Sequence, residues 1–94
     1  MLLVARIKEE KRKLIPGVLH IDRTARVQTV NSRDNGIFYD LIREFHRITK
    51  VPLILNTSFN LKGKPIVETP ADALAAFFHS GMDTLVMGGY LLSK

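Results

Sequence analysis

The chain has 94 residues, 46% of them hydrophobic and 24% charged, with a formal net charge of +5 and no cysteine. That length supports at most one small domain, 1–94, with a thin core, and the balance fits a globular protein better than a disordered or fibrous one. The lack of cysteine excludes disulfides, thiolate zinc sites and a thiol nucleophile, while the positive charge leans toward anionic partners without choosing among them.

The apolar opening Met1–Arg6 is far too short for a signal segment or a membrane span, so a soluble, cytoplasmic protein is expected. Residues 2–7 read as a strand of continuous apolar character. Lys8–Lys13 is a dense run of mixed charge, read as a solvated turn or loop, and Ile15-Pro16-Gly17 breaks the chain. Residues 18–30 alternate with period two. They fit two strands around a tight turn at Asp22-Arg23, or one bent strand, whose polar face carries Thr24, Arg26 and Gln28. An arginine with fixed neighbours is a natural phosphate or carboxylate clamp, because its planar fork donates two parallel bonds; a solvent-facing arginine on a sheet is the commoner case by composition alone.

Asn31–Gly36 is a loop ending in good N-cap residues. Ile37, Phe38, Leu41, Ile42, Phe45 and Ile48 then recur at helical spacing and predict an amphipathic helix. His46 lies beside the stripe without a partner at a ligand-like offset. Leu53-Ile54-Leu55 reads as a short buried strand that stops at Asn56-Thr57-Ser58-Phe59-Asn60. If the backbone stays extended there, Asn56, Ser58 and Asn60 project from one face. Neutral amides and a hydroxyl suit an oxygen-rich ligand, and Lys62 and Lys64 just beyond add positive charge; equally, such residues often do no more than turn the chain.

A second helix opens at Thr69-Pro70-Ala71-Asp72, with Thr69 as cap, Pro70 at the first helical position and Asp72 at the positive end of the dipole. Ser80-Gly81 stops it. Thr84–Met87 and Tyr90–Leu92 are strands about a Gly88-Gly89 turn. The order is β-β-β-α-β-α-β-β: an α/β (α+β) fold with a mixed β-sheet and two main helices.

Several of these blocks together resemble the C-terminal part of the NodU/CmcH-type carbamoyltransferases. The resemblance runs through His20-x-Asp22-x-Thr24-Ala25-Arg26-Val27-Gln28-Thr29-Val30, Asn35-x-x-Phe38-Tyr39 and Val51–Asn60. It continues with Gly63-x-Pro65-Ile66-Val67, Thr69-Pro70-x-Asp72-Ala73 and Ser80-Gly81-x-Asp83. Any one block alone is a weak signal; in order and with matching gaps they are a strong one. Arg23 stands where family members usually carry glycine, which predicts a less sharp turn there.

The resemblance implies enzymes that carry a carbamoyl group from carbamoyl phosphate to a small-molecule hydroxyl through a carbamoyl-adenylate made from ATP. A larger N-terminal domain performs the transfer, and a C-terminal YrdC-like domain makes the adenylate with a Lys-x-Arg pair and a Ser-x-Asn pair. Ser58-x-Asn60 matches the second pair. The first belongs to sequence upstream of Met1, and Lys8, Lys11 and Arg12 do not replace it. The chain is therefore expected to be the latter part of a YrdC-like domain, non-catalytic alone, with Thr24, Arg26, Gln28, Asn56, Ser58 and Asn60 contacting substrate. ATP and carbamoyl phosphate are the substrates of the full-length family, and no residue here is expected to bind metal. The transfer domain is the expected partner, and a homodimer covering an open sheet edge is a further expectation. The alternative, a small basic RNA-binding domain, draws on the net charge, but the Arg and Lys residues are scattered and carry no RNA-binding signature.

Overall fold

The computed structural model describes residues 3–94; Leu2, the start of the expected first strand, lies outside the described residues. Contacts group into two compact units divided after Asn56, where the sequence reads as one domain. Each is taken by itself.

In the first unit, strand β1 (Leu3–Arg6) leads into a one-turn helix, α1 (Glu9–Arg12). The charged run is thus helical and not a loop. Its acids, Glu9 and Glu10, stand in the first turn and its bases, Lys11 and Arg12, in the last, the arrangement that complements the helix dipole. Arg12 Nε also donates to the Ile7 carbonyl at 3.1 Å. Pro16–Val18 forms a single 3-10 turn and residues 19–23 belong to no strand, so of the two arrangements expected for 18–30 neither forms in full: one strand forms, after Asp22.

Strand β2 (Thr24–Val27) pairs antiparallel with β1. Arg6 lies opposite Thr24 and Val4 opposite Arg26 on one face, with Ala5 opposite Ala25 and Leu3 opposite Val27 on the other. Ala25 is buried, 3% exposed. The chain enters β2 through a turn in which His20 N–H donates to the Thr24 carbonyl at 2.8 Å and Arg23 N–H to the His20 carbonyl at 2.9 Å. Arg23 itself sits at φ 68°. The expectation of a less sharp turn is therefore wrong: the arginine takes up the left-handed conformation that glycine reaches without strain, because both flanking backbone bonds require it.

Helix α2 (Gly36–Thr49) begins where Asn35 Oδ1 accepts from Phe38 N–H at 3.1 Å, and ends on Lys50 at φ 64°. Its apolar stripe is largely open, with Ile37 88% and Ile48 72% exposed, and no α2 residue is buried. Leu53-Ile54-Leu55 makes no strand pairing. Together with Leu14, Ile15 and Phe45, these residues line a shallow apolar groove of about 380 Å³. Their hydrophobicity satisfies that groove and not a sheet.

The second unit is built on helix α3 (Pro70–Phe78) and the hairpin β3 (Thr84–Met87) and β4 (Tyr90–Ser93). Thr69 Oγ1 accepts from Asp72 N–H at 3.1 Å, and an Asp72 carboxylate oxygen accepts from Thr69 N–H at 3.1 Å, a reciprocal capping box. One α3 face places Ala73 and Phe77 against Leu85 of β3, with Phe59, Leu74, Met82, Met87 and Leu92 packed around them. Phe77 is fully enclosed, 0% exposed. Gly88, at φ 55°, is the first of two turn residues joining β3 to β4, the position at which this kind of hairpin needs glycine.

The protein is α+β with two main helices, as expected. Its strands form two separate two-stranded antiparallel sheets and not one mixed sheet. With residues 53–55 unpaired, no strand lies between α2 and α3 among the described residues, and the parallel pairing that a mixed sheet needs is not made.

Candidate functional site

The first cluster of polar side chains grows out of the turn into β2. Asp22 Oδ1 accepts twice from Thr24, from its N–H at 3.0 Å and from its hydroxyl at 2.6 Å. Those two bonds, the hydroxyl's foremost, hold the Asp22 carboxyl below its ordinary value of 3.8. On the other side of the same hydroxyl, His20 Nδ1 lies 3.2 Å from Thr24 Oγ1. Two residues along the strand, Arg26 is exposed on the Thr24 face. Arg6, opposite Thr24, puts a second guanidinium on that face. Gln28 is exposed just beyond the end of β2. The result is an open strand face with two strong cationic donors and an oriented imidazole, suited to a phosphate or carboxylate.

The second cluster is irregular backbone. Asn56 and Ser58 are exposed and lie outside any strand. Phe59 is packed into the second unit's core, so its neighbours Ser58 and Asn60 are left outside. Asn60 Nδ2 donates to the Lys64 carbonyl at 2.9 Å and the Leu61 carbonyl at 3.3 Å. Lys64 N–H returns to Leu61 at 2.9 Å, Gly63 takes φ 77°, and Val67 N–H closes the loop on the Phe59 carbonyl at 3.0 Å. The expected strand face is thus replaced by an anchored loop, whose amide Asn60 shapes from within and whose hydroxyl at Ser58 stands free of it.

The six sequence-predicted residues divide between the units: Thr24, Arg26, Gln28 and Asn56 in the first, Ser58 and Asn60 in the second. Within the first, register brings Thr24 and Arg26 onto one face. The sequence reading passed over Arg6, His20 and Asp22 as site residues. The signal was present in Asp22-x-Thr24, a spacing at which an aspartate accepts from the backbone two residues on. Arg6 had no local signal, since only strand pairing places it beside Arg26. Among the described residues, no helix is long and apolar enough to cross a membrane.

Residues 1–94 match the family described as Carbamoyltransferase C-terminus, and the chain belongs to that family. It shares 44% identity over its whole length with Uncharacterized protein MJ1051 of Methanocaldococcus jannaschii and 44% with Nodulation protein NolNO of Sinorhizobium fredii. Nodulation protein NolO of Bradyrhizobium diazoefficiens is 39% identical, again over all of this chain. The chain spans only 18%, 14% and 17% of the lengths of those three relatives.

Proposed function

We propose that this chain is the part of a carbamoyltransferase that helps bind carbamoyl phosphate and ATP for carbamoyl-adenylate formation, on the way to O-carbamoylation of a small-molecule hydroxyl. The observation that carries this reading is the register of β1 and β2, which places Arg6 and Arg26 on one exposed face. Adenylate formation brings a carbamoyl oxygen to the α-phosphate of ATP while pyrophosphate leaves. It asks the protein for positioning and for stabilisation of charge, not for a nucleophile. Arg26 neutralises phosphate charge, and Gln28 and Asn56 orient the ligand by neutral donors and acceptors. In the second unit, taken by itself, Ser58 offers a hydroxyl donor from the loop that Asn60 holds in shape. Thr24 acts through the groups it holds, Asp22 and His20. Acceptor recognition belongs to sequence outside this chain, and the chain alone has no turnover.

The test is an amide NMR titration with carbamoyl phosphate, with and without a non-hydrolysable ATP analogue. Shifts clustered at Arg26, Gln28 and residues 56–60 are the expected result. An unchanged spectrum at millimolar ligand overturns the assignment of a binding role to this chain.

A further inference from the structure

Resting on that reading, we infer that His20 sets specificity for the carbamoyl group, its Nε2 accepting a hydrogen bond from the ligand's carbamoyl NH2 while Arg26 and Arg6 face the phosphate. The argument begins with one hydrogen atom. The Thr24 hydroxyl has a single proton, and it lies on Asp22 Oδ1 at 2.6 Å. An ionised carboxylate has no proton to give back, so Oγ1 turns only lone pairs toward His20. The Nδ1 of His20, 3.2 Å away, must then carry the ring proton for the contact to be a hydrogen bond. In the neutral ring the proton on Nδ1 leaves Nε2 bare, a fixed acceptor.

That acceptor is what the rest of the face lacks. Arginines only donate. Carbamoyl phosphate accepts through its phosphate and its carbonyl, and its NH2 is its one strong donor. Thr24, to which the imidazole is tied, and Arg26 are two residues apart along one strand, roughly 7 Å. Both side chains are long enough to reach a small acyl phosphate laid across that gap. Acetyl phosphate keeps the phosphate and the carbonyl but has a methyl group in place of the NH2. A site with an oriented acceptor favours the ligand that can donate to it, and the methyl of acetyl phosphate has no proton to give Nε2.

The experiment is calorimetric titration of the chain with carbamoyl phosphate, acetyl phosphate and inorganic phosphate, alongside His20→Leu, His20→Gln and Thr24→Val variants. The unaltered chain is expected to prefer carbamoyl over acetyl phosphate about tenfold. His20→Leu removes the preference while changing acetyl phosphate binding by no more than about twofold, and His20→Gln, whose Oε1 can stand where Nε2 stood, restores most of it. Nitrogen-15 NMR of the neutral ring should find Nδ1 protonated and Nε2 bare, with the bias lost in Thr24→Val. Retention of the preference in His20→Leu, or a proton on Nε2 of the neutral ring, overturns the inference. Equal binding of carbamoyl and acetyl phosphate overturns it while leaving the proposed function standing. Binding of none of the three ligands removes the proposed function, and this inference with it.

Discussion

The two units are held together differently. The second closes around one large side chain: Phe77 is fully enclosed, with Phe78 tilted against it at 5.3 Å between ring centroids and Lys94 Nζ 4.6 Å from its ring centre. The same ammonium donates to the carbonyls of Phe77 at 2.6 Å and Ser80 at 2.7 Å, satisfying the negative end of α3. Among the described residues of the first unit, the buried hydrophobic side chain is an alanine, Ala25, and order comes from local hydrogen bonds at His20–Thr24 and at the Asn35 cap. Packing stabilises the unit that carries Ser58. Turn chemistry stabilises the face that carries Arg26.

Three substitutions sharpen that contrast, from the largest effect down. Phe77→Ala should cost about 3–5 kcal/mol, because it empties the only large enclosed position in the second unit's cluster. Denaturant melts followed by amide exchange in α3, β3 and β4 measure it, and a loss below about 1 kcal/mol would show that Phe77 is not the keystone of that packing.

Next comes Thr69→Ala, which dismantles the capping box and should cost about 1 kcal/mol. The same change has a pH signature. The Thr69 hydroxyl, foremost, holds the Asp72 carboxyl below its ordinary value of 3.8 in the folded chain. The stabilisation from that bond is therefore complete above 3.8 and is lost as pH falls through the lowered folded value. Acid titrations of stability should show this loss in the unaltered chain and a shallower one in Thr69→Ala.

The smallest effect has the opposite sign. Arg23→Gly should stabilise the first unit by about 0.5–1 kcal/mol, since the residue already sits at φ 68° and glycine occupies that region without a Cβ clash. Urea melts read by β1 and β2 amides check it. A destabilisation instead would mean that the arginine side chain contributes more than its backbone strain costs.

Much of this was legible in the residues alone. The caps at Asn35 and Thr69, the helix periodicity and the Gly88-Gly89 hairpin are governed by neighbours within four positions, so short-range chemistry was enough to place them. The blocks shared with carbamoyltransferases named the family on the same local evidence. Partnering at long range was not legible. An apolar triplet such as Leu53-Ile54-Leu55 is equally content in a sheet or lining a groove, and only the tertiary structure chose the groove. The charged run at Glu9–Arg12 became a helix because its acids and bases happen to fall at the right ends.

The sequence by itself determined where its two main helices begin, where the β3–β4 hairpin turns and which family it belongs to, because each of those rests on contiguous residues. The tertiary structure decided that Arg6 stands beside Arg26 and that the strands close into two sheets. It also decided that the Thr24 hydroxyl is shared between Asp22 and His20. Strand register and the direction of one hydroxyl proton depend on groups brought together by folding, and no local pattern encodes them.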